Sequence, residues 1–332
     1  MPAIGYSFSS EEFGPKRLVE LAERAEQMGF EYGLISDHFH PWITRQGHSP
    51  FVWPVIGGIA HATRNFAIGT GVTCPLIRIH PVIIAQAAAT AACMMPGRFM
   101  LGLGTGENLN EHITGMRWPG PIERLEMLRE AIELIRLMLK GGNHTRHGKH
   151  YTVQDAEIFT LPDQPPPLLI AAAGKEAAEL AGQLGDGLVS TRPIKELVET
   201  FERTGGKGKP KYGQVTVCWA KREEDARRTA FEIWPTAALS GINQELPSPY
   251  YFEQAAKPVT EDKVAEEIPC GPDPRKHIGA IQEYVDAGFD HIYVHQVGPD
   301  QEGFMEFYRR EILPHFSPIR EGVPENGHAS RA

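Results

Sequence analysis

The sequence predicts a (β/α)8 barrel, an α/β fold in which eight parallel strands alternate with helices and close on one another. Three observations carry this. Short β-rich runs alternate with amphipathic helical stretches along nearly all of the 332 residues, for about eight cycles. Those runs are apolar on both faces, as strands are when side chains fill a barrel on one side and helices cover the other. No G-x-G-x-x-G follows the first of them, which speaks against an open doubly wound sheet.

The strands are expected at Ile4 to Phe8, Tyr32 to Ser36, Phe66 to Val72, Phe99 to Gly104, Leu168 to Ala172, Gly187 to Ser190, Val215 to Ala220 and His291 to His295. Between them, Pro15 to Gly29, Pro81 to Met95, Ile122 to Leu139 and Lys276 to Ala287 repeat apolar residues at spacings of three and four, so they read as helices. Gly29 and Gly288 stand where two of these should stop. Two stretches break the rhythm, Gly141 to Pro167 and Ser240 to Pro274. Neither has the composition of a separate core, so both read as loops and short helices over the barrel mouth, where specificity would be set. The expected organisation is one barrel over residues 1–318 with insertions at about 141–167 and 240–274, then a polar tail at 319–332.

Composition narrows the function classes. The formal charge of −9, with no long Lys/Arg stripe, disfavours nucleic acid and anionic membranes as partners. No apolar run approaches the roughly 18 residues of a membrane span, and the first ten residues lack a signal peptide's basic and apolar regions. Cys74, Cys93, Cys218 and Cys270 are scattered without a C-x-x-C pair, so neither a zinc knot nor a disulfide framework is expected. A cytoplasmic enzyme with reduced thiols fits these features, and a homodimer is the expected assembly.

Barrel chemistry sits at the C-terminal ends of strands. The second strand ends in Asp37-His38-Phe39-His40-Pro41-Trp42, which offers a proton acceptor beside a flat apolar wall. By themselves these residues equally suit a capped strand end with packed rings. The fourth strand ends Gly102-Leu103-Gly104-Thr105-Gly106-Glu107-Asn108-Leu109-Asn110, where glycines let a planar ligand approach the backbone and a carboxylate follows, or where a tight turn simply needs them. Gly69-Thr70-Gly71-Val72 is a second glycine-punctuated end, also readable as a barrel-corner bend. Ala171-Ala172-Ala173-Gly174-Lys175 enters a helix at once; its free N–H groups can hold a phosphate, though plain small-residue packing explains it as well.

Taken together, Asp37-His38-Phe39-His40-Pro41-Trp42 and Gly104-Thr105-Gly106-Glu107 with Asn110 resemble the luciferase-like superfamily, in its branch of dehydrogenases dependent on coenzyme F420, a deazaflavin. The resemblance covers the whole chain. It is nearest the F420-dependent glucose-6-phosphate dehydrogenase subgroup, through Gly288-Phe289-Asp290-His291 and Gly298-Pro299-Asp300-Gln301 as well. It implies that His38 is the base accepting the alcohol proton, that Trp42 packs at the reacting centre and that Glu107 faces the deazaflavin as a proton partner. It further implies coenzyme contacts from Asp37 and Asn110, with a cis non-proline peptide at Gly71-Val72 beneath the ring. Gly106, Ala173 and Gly174 complete the expected coenzyme site. His38 suits the base role because its ordinary pKa lies near neutrality, and alcohol oxidation needs both a hydride acceptor and a base.

For the substrate, the resemblance implies a sugar phosphate such as glucose 6-phosphate, or a related alcohol. Thr191 matches a residue that helps hold phosphate, and Arg192 and Lys195 are the candidates for the cation expected soon after it. Lys257, Lys263 and Arg275 have no secure counterpart. A phosphorylated substrate predicts basic groups converging on Thr191; a neutral one predicts a lining of Tyr250, Tyr251 and Phe252. An F420-dependent secondary-alcohol dehydrogenase or ketone reductase is the nearest alternative. An FMN-dependent monooxygenase on the same fold would want a different proton pattern from His38 with Glu107. A metal-dependent hydrolase using His38, His40 and His291 or His295 would need further ligands on several strand ends; no metal is expected.

Overall fold

The computed structural model describes residues 1–239 and 241–316. The tail expected at 319–332 lies outside them, as does Ser240. Eight parallel strands close into a barrel in the order β1-β10-β9-β8-β7-β4-β3-β2. They are β1 (Ala3–Phe8), β2 (Tyr32–Ile35), β3 (Ala67–Thr70), β4 (Phe99–Leu103), β7 (Leu168–Ala171), β8 (Gly187–Ser190), β9 (Lys211–Val217) and β10 (His291–Gln296). All eight expected strands are present, and β1 pairs in parallel with both β2 and β10, which closes the ring.

The two-faced apolar character of the strands is used as the sequence implies. Tyr32, Leu34, Met100, Leu169, Val189, Tyr212 and Tyr293 fill the barrel interior. The opposite faces, with residues such as Ile4, Phe8, Ile68 and Leu101, pack against the surrounding helices. Interior crowding sets where glycine is needed. A Cβ on Gly102 would lie 2.0 Å from the Thr70 carbonyl oxygen, so strands β3 and β4 reach their spacing only without a side chain there.

The helices are α1 (Pro15–Met28), α2 (Val52–Ala62), α3 (Pro81–Met94), α4 (Asn108–Glu111), α5 (Pro121–Met138), α6 (Lys175–Leu184), α7 (Lys195–Phe201), α8 (Glu223–Ile233), α9 (Pro249–Ala256), α10 (Glu261–Glu267), α11 (Pro274–Ala287), α12 (Gln301–Phe307) and α13 (Leu313–Phe316). Gly29 and Gly288 end α1 and α11 in the left-handed conformation, at φ 92° and 100°.

Two expectations need correction. Gly141 to Pro167 contains an antiparallel hairpin, β5 (His144–His147) with β6 (Thr152–Ala156), and none of its residues lines the cavity at the barrel mouth. Instead it rides on α5, where the Glu130 carboxylate accepts from the His150 and Tyr151 amides. The second excursion is also wider than its Pro-rich composition suggested, because α8 belongs to it. Ala226 and Ala230 of α8 pack with Val264, Ile268, Cys218, Cys270 and Val297 in a small satellite core. The helix that covers β9 is therefore α11. Cys218 and Cys270 face each other across an isolated β-bridge, yet their thiols are free and donate to different carbonyls, of Val297 and Ile268.

Candidate active site

The C-terminal strand ends open into a cavity of about 370 Å³. His38, just beyond β2, lines it and is only 9% exposed. Its Nδ1 lies 3.1 Å from Glu11 Oε1 and its Nε2 4.0 Å from Glu107 Oε2, so the imidazole sits between two carboxylates. The Trp42 indole meets the same ring edge-on, 4.9 Å away. Glu11 is itself buried, and its second oxygen accepts from Ser9 Oγ at 2.9 Å and Ser36 Oγ at 2.7 Å. Those two hydroxyls fix which oxygen is left for His38. The sequence reading missed Glu11, although the polar run Ser9-Ser10-Glu11-Glu12 directly after the first strand meets the same strand-end rule that found His38.

Glu107 enters from the end of β4 and also lines the cavity. Asn110 donates through Nδ2 to Glu107 Oε2 at 3.3 Å, while its Oδ1 accepts from the Phe39 and His40 amides at 2.9 and 3.2 Å. Asn110 therefore ties the two catalytic-candidate loops together from behind and does not line the cavity. Asp37 is likewise behind the wall, accepting from Thr73 Oγ1 at 2.7 Å and Arg78 Nη2 at 2.8 Å. Arg78 also faces Glu111 at 3.5 Å. Burial opposes the Arg78 charge, but Asp37 and Glu111 outweigh it and leave its pKa raised. Burial raises the Glu111 pKa against the pull of Arg78. This buried set holds the loops after β2, β3 and β4 in one arrangement.

Beside His38 the cavity becomes a slot walled mostly by backbone. The Gly71-Val72 peptide is cis, at the position expected. Gly71, Val72, Gly104, Gly106, Ala173 and Gly174 all line the cavity. A Cβ on Gly104 would lie 2.7 Å from Val72 Cγ2 and 3.3 Å from Ala171 Cβ, so glycine is what lets these walls stay flat and close. Gly174 precedes α6 with no side chain capping it, leaving N–H donors free at that end. A planar ring with an anionic side chain suits this set: flat walls, Glu107 at one edge and backbone donors at the other.

The far side of the cavity is built from β8, β9, β10 and the second excursion. Thr191, Ser190, Gln214, Trp234 and His295 line it, while Gln244 lines the cavity from the Glu107 side, its carbonyl accepting from the Asn108 amide at 2.9 Å. His295 Nε2 lies 3.1 Å from Glu12 Oε1, whose partner oxygen accepts from the Gly298 amide at 2.8 Å. The adjacent Glu11 and Glu12 thus each hold one cavity histidine. Arg192 and Lys195 are not brought to Thr191. Neither lines the cavity, and Lys195 is 69% exposed beside Glu199 at 3.8 Å. Tyr250 and Tyr251 are 60% and 50% exposed and also outside it, while Phe252 is buried behind Trp42 with ring centres 5.1 Å apart. His40 is turned to the Leu109 carbonyl at 2.9 Å, and among the described residues no three His, Cys, Asp or Glu side chains converge as a metal set.

Arg124 is a second residue the sequence reading passed over. It lies on α5, is 2% exposed and reaches the cavity. Both terminal nitrogens donate to Glu245 Oε1 at 3.0 Å, and Nη2 also reaches Gln244 Oε1 at 3.2 Å.

Comparison with known proteins agrees with this geometry. A family model described as luciferase-like monooxygenase matches residues 3–291. An F420-dependent glucose-6-phosphate dehydrogenase of Microbacterium testaceum (strain StLB037) is 36% identical over 323 residues, covering 94% of this chain and 96% of that protein. One of Beutenbergia cavernae is also 36% identical, over 326 residues, covering 95% and 97%. Among solved structures, an F420-dependent secondary alcohol dehydrogenase in complex with an F420-acetone adduct superposes with a TM-score of 0.87 at 28% identity, covering 94% of this chain and 98% of that one. A coenzyme F420 dependent tetrahydromethanopterin reductase from Methanopyrus kandleri shares the fold, with a TM-score of 0.78 at 22% identity over 95% of this chain and 99% of that one.

Proposed function

The chain belongs to the luciferase-like monooxygenase family, and from that premise we propose that it is an F420-dependent dehydrogenase acting on CH–OH groups. Its substrate is a sugar phosphate or a related alcohol. The observation that carries this is His38 held between Glu11 and Glu107 at the edge of a flat backbone slot. Coenzyme F420, when bound, supplies the two-electron acceptor for the hydride that leaves the alcohol carbon. His38 Nε2 takes the hydroxyl proton as the carbon–hydrogen bond gives up its electron pair. Glu11 faces the other ring nitrogen and stabilises the imidazolium that forms. Glu107, steadied by Asn110, handles a proton on the coenzyme side. Trp42 closes the reacting edge against water. In the reverse direction His38 returns its proton to a carbonyl oxygen.

Walls of Gly71-Val72, Gly104, Gly106, Ala173 and Gly174 support the coenzyme assignment, with Asp37 and Asn110 acting by fixing the loops rather than by touching the ligand. Titrating the protein with oxidised F420, FMN and NADP in turn, and following absorbance, tests it. F420 alone is expected to bind tightly; tight FMN binding without an F420 response overturns the reading. Two finer points belong to the same proposal. The chain works in the cytoplasm, in keeping with four free cysteines. It also pairs with a second copy through α2 and α3, helices whose sequences contain no Asp, Glu, Lys or Arg.

A further inference from the structure

We infer that the substrate of this site is an uncharged alcohol and that a phosphorylated sugar is disfavoured. This rests on the F420-dehydrogenase reading above and names the substrate class within it. The charges that face the cavity carry the argument. Among the described residues three carboxylates line it, Glu11, Glu107 and Glu176, and Arg124 is the one Lys or Arg that does. Arg124 is already neutralised. Glu245 reaches in from the second excursion to take both of its terminal nitrogens, and the Trp118 indole N–H donates to the other Glu245 oxygen at 3.1 Å.

This contact is fastened on more than one side. Asn108, next to Glu107, donates its amide to the Gln244 carbonyl at 2.9 Å and its side chain to the Glu245 carbonyl at 3.0 Å. An incoming phosphate would have to displace a built-in carboxylate from a buried arginine, or else remain unpaired among acids. A dianion removed from water requires charged or backbone donors; Arg124 offers them only once Glu245 is left unpaired, and the backbone donors at Gly174 serve the anionic part of the coenzyme.

Lys195, Lys263 and Arg275 face solvent. Lys195 is paired with Glu199, Lys263 with Glu266 at 2.8 Å, and Arg275 is 90% exposed on Asp273. What does line the Thr191 end is neutral and hydrogen-bonding: Ser190, Thr191 and Gln214, with the Glu12-held His295 and the Trp234 indole on the same side. Such a wall serves hydroxyl and alkyl groups, with Trp42 and Trp234 supplying apolar surface.

The test uses the full chain loaded with oxidised F420. Loss of F420 absorbance is followed with isopropanol, cyclohexanol, glucose and glucose 6-phosphate at matched ionic strength. At least one neutral alcohol is expected to reduce F420 with a kcat/KM about tenfold or more above that of glucose 6-phosphate. Glu245→Gln, which frees Arg124, is expected to narrow that discrimination by about tenfold. Preference for glucose 6-phosphate, or binding of F420 without reduction by any neutral alcohol, overturns the inference and leaves the coenzyme reading standing. Unchanged discrimination in Glu245→Gln overturns the role given to the Arg124–Glu245 contact. Failure to bind F420 at all removes the functional reading and the inference with it.

Discussion

At the scale of single residues, the site turns on an imidazole whose two nitrogens face different acids. If His38 is the base, His38→Ala should lower the single-turnover rate of F420 reduction by roughly 10²- to 10⁴-fold while F420 affinity changes little. Glu11→Gln keeps the shape but removes the charge opposite Nδ1. A rate loss of about tenfold or more is expected, since the imidazolium that forms on proton transfer would then face no opposite charge at Nδ1. Stopped-flow traces of both variants against an F420 titration separate rate from binding; equal loss of affinity and rate would reduce Glu11 to a packing role. His38 and Glu107 were legible in the sequence because each closes a strand whose apolar run announces its own end. Glu11 was just as exposed to that rule but stands among serines that look like turn formers, and only its 3.1 Å approach to His38 gives it meaning.

At the scale of elements, the barrel depends on strands that touch through glycine. Gly102→Ala would place a Cβ 2.0 Å from the Thr70 carbonyl oxygen, which is backbone and cannot step aside. A loss of about 1–3 kcal/mol or more is expected in urea unfolding. Helix α11 carries a pH-dependent contribution of its own. His277 is fully buried, with Nε2 2.9 Å from the Gly271 carbonyl oxygen and Nδ1 3.1 Å from the Tyr308 hydroxyl. That arrangement suits the neutral ring, with Nε2 donating and Nδ1 accepting. Burial lowers its pKa below the ordinary 6.5, against the opposing pull of the Gly271 carbonyl and Asp273. Below that ordinary value the unfolded chain binds a proton that the folded chain resists. This contribution to stability is therefore present above pH 6.5 and is lost as pH falls beneath it. Melting temperatures measured between about pH 5 and 7 should rise with pH, and His277→Gln should flatten the slope; an unaltered slope would assign the dependence to other groups.

At the scale of the whole molecule, α2 and α3 present an outer surface without formal charge. Ile83 and Met94 of α3 are 52% and 51% exposed and Phe51, just before α2, is 54% exposed. Uncharged surface with large exposed apolar groups is the composition of a subunit contact. Sedimentation is expected to give a dimer, and Ile83→Glu with Met94→Glu to give a monomer; an undisturbed dimer would move the contact elsewhere. The arrangement around the cavity also shows what a barrel does with distant sequence. Residues 9–12, 36–42, 104–107, 171–174, 190–191 and 295 gather around one cavity only because their strands close into a single ring with the same ends up.

The sequence by itself determined the barrel, since apolar periodicity and terminating glycines are local signals that each segment carries in its own side chains and backbone freedom. It also placed His38 and Glu107 at strand ends, and the cis Gly71-Val72 bond lies where the family resemblance implied it. Tertiary structure alone decided which charges meet. Arg192 and Lys195 follow Thr191 closely in the chain, but the turn into α7 directs Lys195 toward Glu199 and keeps both out of the cavity. Glu245 lies 121 residues from Arg124 and yet neutralises it. Charge pairing acts over a few ångströms in space with no period along the chain, so the composition of a pocket is fixed by folding, where the order of its strands is already written in the pattern of residues.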